Sequence, residues 1–278
     1  MPNIENALEK IWKVAVWVIA GFLVVNILAM IATVVVNSLG TRWLGTWLPN
    51  ALTFRWYASA WKEFQLTDVM IVTFEIAAAV VIFSILLGVP AAYALARREF
   101  PGKRLVMLLF ILPLLVPPMT FGVPLATVLY KYGLAGQMAG VILANLVPTI
   151  PFTVVLLVPF IEQIDPRVEA AARVFGASTA RLFTHVVVPL LVPGILAATL
   201  IVMIRTVSMF ELTFLTAGPT SQTLVVALYY SVFAAGVRAG QSIDAMAVIY
   251  MLSTLFWLVI ALRFVNPTQL VGRVKSTA

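Results

Sequence analysis

Long apolar runs, each near the length a helix needs to cross a bilayer, recur along this chain and leave it few folds to adopt. The first extends from about Trp12 to Val36. A spanning helix needs roughly 20 mostly apolar residues. Composition agrees: 62% of the 278 residues are hydrophobic and only 10% are charged, against roughly 25% charged in soluble domains. Water would not tolerate so much apolar surface, so a soluble globular protein is excluded.

Further runs predict spans over about Asp68–Ala96, Leu105–Tyr130, Leu134–Phe160, Val186–Thr216 and Ala245–Phe264. The expectation is an all-α polytopic membrane protein of about six transmembrane helices. Residues 1–66 read as an uncleaved N-terminal anchor helix and an extracytoplasmic segment, rich in interfacial aromatics such as Trp43, Trp47, Trp56 and Trp61. Residues 67–265 read as the transmembrane core and 266–278 as a tail. Prolines 113, 117, 118 and 124 in the third run and 148 and 151 in the fourth predict kinks. Leu224–Ala235 is apolar but too short to cross, which suits a re-entrant helix.

Cations orient the chain. Lys10 and Lys13 precede the first run, and Arg97, Arg98, Lys103 and Arg104 crowd one short loop. Excess Lys and Arg mark the cytoplasmic side, so six crossings put both termini in the cytoplasm. Most remaining cations then fall inside, against Arg42, Arg55, Lys62, Lys131 and Arg238 outside. Such scattered clusters are unlike the basic stripe of a nucleic-acid face, and no nucleic acid is expected. With no cysteine and one histidine, His185, no disulfide and no metal site are expected. His185 reads as a solvated loop residue.

The polar segment 161–188 separates the fourth and fifth runs and carries Asp165-Pro166-Arg167-Val168-Glu169-Ala170-Ala171-Ala172-Arg173-Val174-Phe175-Gly176-Ala177-Ser178. Asp165 can cap a helix whose first position suits Pro166, and Glu169 complements the helix dipole. Gly176 can supply a left-handed end. Ser178 can cap a second short helix, Thr179 to about Thr184. A compact helix with small residues lets another protein approach closely, although an ordinary amphipathic loop helix would have the same spacing.

This segment resembles the EAA loop of binding-protein-dependent ABC importer permeases, in which Glu-Ala-Ala-x-x-x-Gly precedes Ile-x-Leu-Pro. The match here is Ala171-Ala172, Gly176 and Val186-Val187-Val188-Pro189. Ala170 stands where the family has glutamate, and Glu169 lies one residue earlier. Leu52-Thr53-Phe54-Arg55-Trp56-Tyr57, Gly88-Val89-Pro90-Ala91-Ala92-Tyr93-Ala94-Leu95-Ala96-Arg97, Phe100-Pro101-Gly102, Leu112-Pro113 with Val116-Pro117-Pro118, and Thr216-Ala217-Gly218-Pro219 look like the spermidine/putrescine-type branch.

The resemblance implies the type I permease fold in a bacterial inner membrane and a small polar, cationic or polyamine-like solute. It implies an ABC ATPase dimer gripping Glu169, Ala170, Ala171, Ala172, Arg173, Phe175 and Gly176. It also implies a second permease subunit, related or identical, and an extracytoplasmic solute-binding protein. The chain has no Gly-x-x-x-x-Gly-Lys-Ser/Thr loop; Gly102-Lys103-Arg104 lacks the upstream glycine and the hydroxyl. ATP and Mg are therefore expected on the partner ATPase, with no cofactor and no catalytic residue on this chain.

Glu75, Arg205 and Glu211 fall within expected spans. A charge at the bilayer centre costs at least roughly 2.5–3.5 kcal/mol, so such residues usually face an interior or a wet path. Glu75, Arg205 or Glu211 can line a translocation path; alternatively Glu75 can pair with Arg205 as a structural ion pair, or a charge can simply be exposed at the rim. An ion-coupled transporter or channel using Glu75 and Arg205 as a relay is the alternative function. An intramembrane enzyme is disfavoured for want of a catalytic constellation.

Overall fold

The computed structural model describes residues 2–41, 43, 48–233 and 239–264, with the backbone alone for residues 2–8 and 264. The expected tail 266–278, Arg42, Trp47 and Arg238 lie outside the described residues. Among the described residues every regular element is helical, so the all-α expectation holds. Packing divides the chain into two units: Met1–Phe64 with Ser231–Ile249, and Gln65–Tyr230 with Tyr250–Ala278.

The first unit contains α1 (Pro2–Leu39) and α2 (Arg55–Glu63). Along its apolar length α1 is exposed, Trp12 and Trp17 included, as suits a helix whose surroundings are lipid. Its C-terminal end is tied down by polar bonds. Ser38 Oγ lies 2.8 Å from the Tyr57 hydroxyl, Trp56 Nε1 donates to Gly40 O at 2.7 Å, and Trp43 Nε1 donates to Asn37 Oδ1 at 2.7 Å. Asn37 Nδ2 donates to Asp244 Oδ2. An isolated antiparallel bridge joins Gly40 to Leu52.

The second unit is built on α3 (Leu66–Arg97), α6 (Met138–Glu162) and α9 (Val188–Val207). Lipid is as apolar as leucine, so membrane helices associate through close packing of small residues. Ala77, Ala92, Ala144, Ala197 and Ala198 are accordingly buried. A Cβ at Gly88 of α3 would sit 2.7 Å from Thr153 Cγ2 of α6, and one at Gly194 of α9 only 2.8 Å from Phe160 Cγ. Two buried clusters fill the seam, one around Ile76, Val80, Val141 and Val202, the other around Val89, Leu157, Ile161 and Leu191.

The third expected span is not a straight crossing. It divides into α4 (Lys103–Leu115) and α5 (Pro118–Lys131), bent by 98°. A residue before proline is driven from the helical to the extended region. Tandem prolines impose this twice: Val116 has ψ 131° and Pro117 ψ 133°. Among the described residues five helices are therefore long and apolar enough to cross, or six with the bent pair as one span.

The fifth span also differs at both ends. A four-residue helix, α8 (Thr179–Leu182), runs without a break into α9 through a π turn at Phe183–Val187. The wide turn falls just ahead of Pro189, whose ring would otherwise crowd the preceding turn. After Val207 the chain turns, and Glu211 opens a separate short helix, α10 (Glu211–Thr216). Leu224–Phe233 forms α11 and Gly240–Phe264 forms α12. The end expected at Ala235 lies outside the described residues.

Candidate functional site

The loop between α6 and α9 is built almost wholly by local chemistry. Its helix α7 (Pro166–Val174) starts where Asp165 Oδ1 accepts from Arg167 N at 2.9 Å, with Pro166 in the first turn. It ends at Gly176, whose φ of 80° is left-handed and strains any other residue. Ala177 N donates to Ala172 O at 3.0 Å and Gly176 N to Arg173 O at 2.9 Å. This pair of bonds is the Schellman closure of a helix end. Ser178 then caps α8, accepting from Arg181 N at 3.3 Å.

Tertiary bonds orient α7 chiefly through Glu169, and the Arg173 side chain also reaches the Tyr93 hydroxyl. Glu169 is buried, and its carboxylate accepts from Arg97 Nε at 2.7 Å and from the Tyr93 hydroxyl at 2.7 Å. Arg97 Nη2 also donates to Ile164 O at 2.5 Å. Tyr93 and Arg97 stand one turn apart on α3, so both face the same carboxylate. Tyr93 packs edge-on against Phe183, ring centroids 5.4 Å apart. The geometry clamps the loop helix to the end of α3.

With Glu169 turned inward, the other candidate residues are open to approach, although Arg173 also touches Tyr93. Ala170, Ala171, Arg173 and Gly176 are exposed, Ala172 partly so. Val174 and Phe175 are 86% and 91% exposed. Ala170, in the family's glutamate position, has no charge to offer. What the surface presents is two small residues, a cation and an apolar knob. Such a surface admits close approach by another protein.

The charged residues of the spans do not assemble. Glu75 lies on an exposed face of α3. Arg205 sits near the end of α9 with its guanidinium carbon 4.4 Å above the Phe152 ring centroid, a cation–π contact. No ion pair joins Glu75, Arg205 or Glu211 to one another among the described residues. Of the alternatives for these charges, the structural Glu75–Arg205 pair is not formed. Glu211 is not on the α9 helix at all; it begins α10, where the helix dipole favours a carboxylate.

Tyr93 and Arg97 belong to the family-like run 88–97, but nothing in that run assigns them to the loop site. Their spacing of one helical turn, close to a basic loop, was the available signal. Also unanticipated is a buried polar ladder on α6: Asn145 donates to Val141 O and to Thr213 Oγ1, while Thr149 and Thr153 bond back to carbonyls of their own helix.

The model of the family described as "Binding-protein-dependent transport system inner membrane component" matches residues 84–270. The trehalose transport system permease protein SugB of Mycobacterium tuberculosis is 31% identical over 160 residues, which are 58% of this chain and 58% of that protein. This chain thus spans little more than half of SugB. The molybdate/tungstate transport system permease protein WtpB of Thermococcus kodakarensis is 29% identical over 173 residues, 62% of this chain and 69% of that one. A chain of a bacterial ABC transporter that imports the acidic polysaccharide alginate superposes with a TM-score of 0.77 at 17% identity, covering 92% of this chain and 97% of that one. That last likeness is one of fold.

Proposed function

This chain belongs to the family of binding-protein-dependent transport system inner membrane components, and on that premise we propose that it is the permease subunit of an ATP-binding-cassette importer. In this reading an ABC ATPase dimer docks on the loop formed by α7, and its ATP and Mg²⁺ stay on that partner. A second permease subunit, related or identical, completes the path, and an extracytoplasmic binding protein delivers the solute. The 97–104 and 161–188 loops and both termini lie on the cytoplasmic side, as the distribution of cations favours.

One observation carries the coupling role. Helix α7 is anchored inward by buried Glu169 and presents Ala170 and Ala171 outward, with Phe175 exposed at its end. A rigid lever with a close-approach face is what a permease needs to receive movement from a motor. The full chain expressed with its ATPase should retain that ATPase on purification. Ala171→Arg or Phe175→Glu, both at exposed positions, should release it while the chain stays folded. Solute uptake that persists with no ATPase present would refute the assignment.

The solute is proposed only as a small polar molecule. Names of the relatives span trehalose, molybdate/tungstate and alginate, so the narrower polyamine-type reading draws no support from them. Glu75 is the residue proposed to line the path, since it is charged, exposed and unpaired on a span.

A further inference from the structure

Between α3, α4 and α6 runs a crevice of about 220 Å³, walled by Leu95, Met107, Phe110, Ile111, Val154 and Pro159 among other apolar side chains. Its lining offers a polar solute almost nothing to bond, and it is smaller than the roughly 300–1,000 Å³ of ordinary ligand pockets. Met107 also lines a second hollow of about 420 Å³, together with Gly102, Lys103, Arg104, Phe100 and Glu99. Met107 therefore borders both. One is wholly apolar and the other carries cations.

Helical rise sets their order along α4. Met107 and Ile111 lie four and eight residues beyond Lys103, about 6 and 12 Å farther along the helix. The order from the basic loop along α4 is therefore cation, shared methionine, apolar crevice. Arg104 is exposed and has no ion partner among the described residues. Lys103 Nζ is 2.7 Å from Glu99, whose side chain is 89% exposed, so water weakens that pair. Arg98 adds a further exposed cation.

We propose that this composite hollow binds one anionic phospholipid, its phosphate on Arg104 and Lys103 and one acyl chain in the crevice. Charge complementarity and the order along α4 select this occupant. A guanidinium takes a phosphate bidentately, and basic hollows between membrane helices suit anionic headgroups. The site is separate from the coupling face of α7 and does not depend on the importer reading.

Native mass spectrometry of the full-length chain tests it, with phosphatidylglycerol and phosphatidylcholine of identical acyl chains as probes. One phosphatidylglycerol should be retained in preference to phosphatidylcholine. Arg104→Gln should lower its retention roughly fivefold. Ile111→Trp, which fills the crevice, should lower retention of both lipids. Should that variant misfold, a photoreactive acyl chain on phosphatidylglycerol replaces it and should label wild-type residues 103–111 or 154–159. Equal retention of the two lipids, labelling confined to other helices, or full competition by glycerol phosphate alone would each overturn the proposal; the last would reveal an anion site without an acyl chain.

Discussion

Glu169 and Glu75 are both carboxylates that meet α3, one bonded to it from the loop and one carried on it, yet the fold treats them oppositely. Glu169 is buried and satisfied twice, by the Arg97 guanidinium and the Tyr93 hydroxyl, each at 2.7 Å. Glu75 stands exposed on α3 with no ion pair to Arg205 or Glu211. Paired charge in a buried place does a structural job, because losing either partner strands the other. Unpaired charge on a membrane span does nothing for the fold and costs insertion energy. The contrast separates a residue that positions the loop from one whose use lies outside folding, and substitution can test each side of it.

The largest effect should come from Glu169→Ala. Removing one partner of a buried pair costs about 3–5 kcal/mol, here concentrated on the docking of α7. The melting temperature in detergent should fall, and protease should cut within 161–188 faster than in the wild-type chain. Glu169→Gln keeps an acceptor for Tyr93 and should fall between. The double variant Arg97→Leu, Glu169→Leu should be milder than Glu169→Ala, since no charge is left stranded. A melting temperature unchanged by Glu169→Ala would erase the comparison.

Smaller losses should follow within the loop itself. Gly176→Val forces a branched residue into the left-handed region and should cost about 1–2 kcal/mol, read as a lower melting temperature. Space is not the cause, because a Cβ there meets nothing within 4 Å. Asp165→Ala removes the cap on Arg167 N and should cost about 1 kcal/mol. Asp165→Asn, which still caps, should recover most of it. If the alanine and asparagine variants melt alike, the cap is not what starts α7.

These local devices are also what could be read from sequence. Asp165, Pro166, Gly176 and Ser178 act on neighbours within a few residues, so their types announce the helix ends. The anchor of α7 was not readable, since Tyr93 and Arg97 are separated from Glu169 by 76 and 72 positions. Hydropathy located the spans but is blind to backbone direction. It ran through Pro117 and Pro118, where the chain bends, and through Ser208–Phe210, where α9 stops short of Glu211. The tandem prolines were a readable signal for the first of these. Nothing in the residue types at 208–210 marks the second.

The smallest structural effect, with the most informative functional one, should come from Glu75→Gln. An exposed, unpaired side chain gives up no bond in the fold, so the melting temperature and retention of the ATPase should match the wild type. Uptake of the solute by membrane vesicles holding the assembled transporter should fall, because a carboxylate maintained at this depth against its insertion cost needs a wet, functional surface. The same change in α3 leaves Tyr93 and Arg97 untouched, so a fall in uptake cannot be traced to a loosened α7. Unchanged uptake would remove Glu75 from the path, and loss of the assembled complex would make it an interface residue instead.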